Sequence, residues 1–206
     1  MKKSEVEELA EQLNSFIPES SSTLAAQFLV DENVKLTISK KRKTKLGDYR
    51  SPSSNHAYHK ISVNGDLNSS MFLLVLLHEF AHLKVWKKYK HSVKAHGEEW
   101  KHYYKDLYLE YHNCFSNEVQ NIIAQHFKNL KATTCNDPYL TRHLMHKDKE
   151  EEVLLLNDLD PGEQFEVSGR VFQMIQKRRT RFLCKDLVNK KKYLVAGSAV
   201  VTRLNK

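Results

Sequence analysis

Between Gly65 and Gly97 the chain runs through residues 66–96 without a glycine or a proline, and residues 71–77 within that stretch are a continuous apolar run, Met71-Phe72-Leu73-Leu74-Val75-Leu76-Leu77. Nothing punctuates a helix there, so one long helix is expected from Leu67 to about Tyr89. The apolar run falls far short of the roughly 20 residues that span a bilayer, which makes this a buried helix and not a membrane span. A segment that is apolar all round has to be covered on every side. The 206 residues, 40% apolar and 28% charged, suffice for one ordinary domain that does so, together with a small appendage.

Just past its apolar half the helix carries His78-Glu79-Phe80-Ala81-His82. A spacing of four sets both imidazoles on one face a turn apart, where they reach a single Zn²⁺, with Glu79 beside the metal as a general base for water. With 11 His and 16 Glu, chance yields an H-E-x-x-H only about 0.04 times in a chain of this length, so two solvated histidines with an incidental Glu are the weaker reading. A catalytic zinc also needs a third protein ligand and an open position. His96 is the leading candidate, because a loop through residues 90–95 can return it to the helix and Gly97 has no Cβ to obstruct the approach. His91, His102, Glu98, Glu99 and Glu110 compete with it. One zinc per chain is expected. Tyr49, Tyr103 and Tyr104 are all open as oxyanion-stabilising groups.

Around this helix the chain reads as an α+β domain over residues 1–135. An amphipathic helix covers residues 4–17 and stops at Pro18, and a short one follows over Thr23 to Leu29. Alternating segments at Val34 to Ile38, Lys43 to Arg50 and Tyr58 to Val63 read as a three-stranded sheet. Helices are expected again around Trp100 to Tyr111 and, capped by Ser116, through Val119 to Leu130. Residues 136–152 read as a junction. Residues 153–206 read as a basic all-β module, with a turn at Asp160-Pro161-Gly162 and strands within Phe165 to Arg170, Val171 to Gln176, Thr180 to Leu187 and Lys192 to Val201.

The H-E-F-A-H helix, the later His96-Gly97-Glu98-Glu99-Trp100, and the upstream Gly47-Asp48-Tyr49-Arg50 with Ile61-Ser62-Val63-Asn64 together resemble the SprT-like zinc metallopeptidases, the family that includes Spartan. The resemblance implies a compact zincin-like fold in which His78, His82 and His96 bind zinc and Glu79 activates water. It also implies a protease of DNA-bound proteins and DNA–protein crosslinks. Many such proteins carry a zinc ribbon of four cysteines after the protease domain, whereas the corresponding region here offers only Cys184, so the β module reads as a degenerate, metal-free ribbon. Cys135 with His143 and His146 matches no standard structural zinc spacing.

Three cysteines without a C-x-x-C argue against a disulfide framework, and Met1-Lys2-Lys3 leads into Glu-rich sequence instead of an apolar leader, so a cytoplasmic protein is expected, with no membrane partner. The formal charge of +8 is clustered. Lys40, Lys41, Arg42 and Lys43 crowd one turn, Lys84, Lys87, Lys88, Lys90 and Lys94 follow the metal motif, and Arg178, Arg179 and Arg181 head the densest run. These cations are expected to contact DNA, single-stranded or junction-containing, with Phe172, Phe182 or Tyr193 available to stack on bases. The readings that follow are a DNA-stimulated zinc endopeptidase, a non-catalytic nucleic-acid adaptor with a structural zinc, and a general zinc peptidase indifferent to DNA.

Overall fold

The computed structural model describes residues 2–42, 45–128, 130, 140, 144, 154–179 and 181–204. The chain divides into two compact units, Met1–Cys135 and Asn136–Lys206.

The first unit is α+β. Helices α1 (Lys2–Leu13) and α2 (Glu19–Asp31) precede strands β1 (Val34–Ser39), β2 (Gly47–Arg50) and β3 (His59–Asn64), which are followed by α3 (Ser69–Tyr89), α4 (Glu98–Tyr111) and α5 (Asn117–Lys128). The helix expected over Thr23 to Leu29 starts earlier, directly after Pro18. Its serines are helical because Ser21 and Ser22 donate from Oγ to the carbonyls of Pro18 and Glu19, satisfying their hydroxyls within the first turn. The strand expected to begin at Lys43 is the shorter β2.

Strand β3 is central, parallel to β1 and antiparallel to β2, which leaves β2 at an edge. Along β3 the alternation turns His59, Ile61 and Val63 inward. Beneath lies α3, whose Asn68 caps it by accepting from the Met71 N–H at 2.7 Å. Residues Met71 to Leu77 of α3 are no more than 2% exposed, so the run is indeed the centre of the core. Each such side chain contributes about 1.5–3 kcal/mol through burial. No helix among the described residues is long and apolar enough to cross a membrane.

The second unit is a five-stranded antiparallel sheet of β4 (Gln164–Val167), β5 (Arg170–Lys177), β6 (Arg181–Asp186), β7 (Lys192–Ala196) and β8 (Thr202–Leu204), in the order β7-β6-β5-β4-β8. Of the segment expected as a strand from Lys192 to Val201 only Lys192–Ala196 is one, and β8 follows beyond it at the far edge of the sheet. Ser168 and Gly169, both at positive φ, form the tight turn between β4 and β5. Its core is Leu156, Leu159, Phe165, Phe172, Met174, Phe182, Cys184 and Val201. Phe172 and Phe182 are therefore core residues and not base-stacking platforms. Tyr193 packs on the same core, with the Arg170 guanidinium 4.5 Å above its ring.

Candidate metal centre

Three imidazoles meet at one point. His78 and His82 project from successive turns of α3, and His96 comes back from the loop before α4. Their Nε2 atoms are separated by 3.2 Å (His78 to His82), 3.0 Å (His82 to His96) and 3.3 Å (His78 to His96). Tetrahedral ligands at zinc–nitrogen distances of about 2.0–2.1 Å lie roughly 3.3–3.4 Å apart, so the triangle matches a zinc-sized ion within a few tenths of an ångström. Among the described residues these three form the one group of His, Cys, Asp or Glu side chains able to hold a metal ion.

The electrostatics suit a cation. Burial, with His82, His96 and His126 adding to it, holds His78 well below the usual histidine range, and burial followed by His96 pushes His82 down to about 4. His96 is lowered by burial as well. All three are therefore neutral donors near pH 7, and lone pairs aimed at one point repel each other unless a cation lies between them.

Aromatic side chains fix the cluster. The Trp100 ring lies 4.6 Å from His78 and 4.9 Å from His96, centre to centre, and its indole N–H donates to the His78 carbonyl at 3.3 Å. Tyr104 is fully buried and donates from its hydroxyl to the Leu74 carbonyl at 3.2 Å, which removes it from the candidates for oxyanion stabilisation. The competing ligands stand elsewhere. His91 is exposed, His102 is 3.2 Å from Asp106, Glu98 pairs with Lys101 at 2.7 Å, and Glu110 is exposed.

Glu79 is only 5% exposed and faces β2. Gly47 makes the room. A Cβ there would lie 2.9 Å from Glu79 Cδ and 2.8 Å from Val75 Cγ1, and would overlap Glu79 Oε1 outright. Burial, then the neighbouring Asp48 charge, pushes the Glu79 carboxyl up to about 8, against the opposing pull of Arg42, Lys45 and the Tyr49 backbone N–H that donates to it. A metal-stripped protein then keeps a proton on Glu79 that the unfolded chain releases above about pH 4.5. This contribution makes folding less favourable as pH rises from about 4.5 to 8. We expect Glu79→Gln to stabilise the metal-free form, by of order 2–4 kcal/mol at pH 8 and little at pH 5. Denaturant titrations of both chains at the two pH values check this.

Several cations expected to meet DNA are engaged within the fold. Arg42 donates from Nε to Asn64 Oδ1 at 2.7 Å, from Nη1 to Ser62 Oγ at 2.9 Å and from Nη2 to the Leu46 carbonyl at 3.1 Å, so it clamps the β1–β2 connection to β3 and is a structural residue. Lys87 pairs with Glu32 at 2.6 Å and Lys41 with Asp66 at 3.4 Å. Lys84 and Lys90 lie over the rings of Phe28 and Trp86, at 5.7 and 3.6 Å. Lys88 lies 5.3 Å over Tyr89, while Lys40 and Lys94 are exposed. Lys43, Cys135, His143 and His146 lie outside the described residues.

In the second unit Arg178, Arg179 and Arg181 are exposed around the β5–β6 turn, which the Arg178 N–H closes onto the Arg181 carbonyl at 2.9 Å. Cys184 is a core residue whose thiol burial pushes up to about 11. The supports that residue spacing did not assign are Gly47, Arg42 and Trp100. Two of them sit in the strings Gly47-Asp48-Tyr49 and His96-Gly97-Glu98-Glu99-Trp100, which was the available signal.

A sequence model of the SprT-like family matches residues 6–134. Comparison with curated proteins and with solved structures gives no match.

Proposed function

The chain belongs to the SprT-like family, and from that premise we propose that it is a zinc-dependent endopeptidase of zincin-like design that cuts DNA-associated or DNA-crosslinked proteins and is stimulated by DNA. The observation that carries the peptidase reading is the convergence of His78, His82 and His96 beside a buried carboxylate that is not one of them. A purely structural site has no use for that carboxylate. Zinc held by the three imidazoles supplies Lewis acidity, polarising a peptide carbonyl and lowering the pKa of water.

The chain's own part is positioning and proton transfer. Neutral His78, His82 and His96 provide the ligand nitrogens, and the Trp100 ring fixes two of them. Glu79 takes a proton from the attacking water and delivers it to the leaving amine. The first half of that task needs Glu79 ionised, and a zinc cation beside it would favour the charged carboxylate over the proton that burial keeps on it in the metal-free chain. The Tyr49 N–H orients the carboxylate from the edge strand.

The charge distribution supports the DNA part of the proposal, which puts the contact on the second unit. Arg178, Arg179 and Arg181 have no ion pair among the described residues, in contrast to Lys41 and Lys87. Lys185 and Lys192 stand directly opposite each other on β6 and β7. Like charges so paired weaken a sheet, and an anionic partner offsets the cost. A phosphate backbone is such a partner.

The test is cleavage of a protein crosslinked to single-stranded or junction DNA, compared with the same protein free, across a salt series. Strong stimulation by DNA that fades with salt is expected. Equal cleavage in both cases would leave a general zinc peptidase, and no cleavage by the zinc-loaded chain would leave the adaptor. Charge reversal at Arg178, Arg179 and Arg181 together is expected to weaken DNA binding at least about tenfold and to reduce the slope of log K against log salt by about 2–3. Electrophoretic or anisotropy titrations at four salt concentrations read this, and an unchanged slope would move the DNA contact to Lys40, Lys88 and Lys94.

A further inference from the structure

Tyr49 touches the metal centre in two ways at once. Its backbone N–H donates to the Glu79 carboxylate, and its ring lies nearly parallel to that of His82, 10° apart in plane and 6.4 Å between centres. Its hydroxyl goes to neither. Tyr49 Oη is 2.9 Å from Nδ1 of His59, on the adjoining strand. The sheet register explains why. Tyr49 pairs with Ile61, so His59, two residues earlier on β3, is its diagonal neighbour on the same face, within reach of an aromatic side chain.

His59 is itself held. It is 7% exposed, and its ring meets Trp86 edge-on at 5.1 Å. Trp86 follows His82 by one turn of α3. The contacts therefore close a circuit from His82 through Tyr49 and His59 to Trp86 and back along the helix. The other two imidazoles are clasped by Trp100 at under 5 Å, and His78 also by Tyr104 at 5.5 Å. His82 is 5.7 Å from Trp100, so Tyr49 supplies its second aromatic wall.

We propose that Tyr49 is a positioning residue that fixes His82 and Glu79 relative to one another, and that His59 is the anchor that holds Tyr49 in place. This rests on the three-histidine metal reading and not on peptidase activity. Residues behind a metal ligand act by fixing its orientation, and their loss typically lowers metal affinity 10–100-fold. Tyr49→Phe keeps the ring and the main-chain N–H and removes only the tie to His59. His59→Phe removes the same tie from the other side and keeps a ring against Trp86.

The experiment loads the full chain with Co²⁺ and records its visible absorption, which reports ligand geometry, and measures zinc affinity by chelator competition. Each single variant is expected to shift or broaden the cobalt bands and to weaken zinc about tenfold. The double variant should be no worse than the worse single, because both remove one interaction. If Tyr49→Phe does not fold by far-UV circular dichroism, His59→Phe alone gives the same readings. Cobalt spectra and zinc affinity unchanged in the folded variants, or losses that add in the double, would overturn the proposal. A wild-type chain that binds zinc and cleaves nothing would sink the peptidase reading and leave these measurements decisive.

Discussion

Replacing His96 with Ala is expected to remove stoichiometric zinc from the purified chain and to abolish hydrolysis with it. His96 closes the triangle of 3.0–3.3 Å separations, and without it two nitrogens on one helix face are left. Two imidazoles hold zinc far more weakly than three, and the lost side chain also unpacks Trp100, whose ring is 4.9 Å away. His78→Ala and His82→Ala should behave alike. Elemental analysis after dialysis is the measurement, with one zinc per wild-type chain as reference. A His96 variant that keeps a full equivalent would hand the third position to another side chain.

Gly47→Ala is expected to keep the metal and still lose turnover. The added Cβ overlaps Glu79 Oε1 and crowds Val75 Cγ1 at 2.8 Å. Neither can withdraw easily. Val75 is buried in the core, and Glu79 is held against β2 by the Tyr49 N–H. The carboxylate has to turn away from the water it serves, and a general base so displaced forfeits about 10²–10⁴ in rate. The expected result is kcat lower by about two orders of magnitude or more, zinc content near one, and a fall in stability of about 1–3 kcal/mol from overpacking. Undiminished kcat would show that the base does not depend on the space Gly47 leaves.

The helix and its motif were legible because both are local. Periodicity, the lack of Gly or Pro and the four-residue spacing act within one element, and the buried α3 with His78 and His82 on one face follows from them. His96 was legible only as the best of six, since loop return is a tertiary event that spacing does not decide. What escaped was pairing at a distance. Arg42 looks in sequence like any member of Lys40, Lys41, Arg42 and Lys43, yet Ser62 and Asn64, some twenty residues on, engage its guanidinium. Lys87 likewise finds Glu32 across 55 positions. Phe172 and Phe182 sit among the exposed cations of the tail and look available, but strand alternation turns them into the core of the second sheet. A cluster of charge in sequence is thus an upper bound on free charge in the fold.

Glu79 acting as a base at a zinc held by three histidines is tested most directly by following zinc content and crosslink cleavage in the same samples of wild type and Glu79→Gln. Glutamine fills the same space and cannot accept the proton. The predicted result is one zinc per chain in both, with cleavage by the variant lower by about three orders of magnitude or beyond detection. Comparable cleavage by the two zinc-loaded chains, or loss of zinc from the variant, would contradict it.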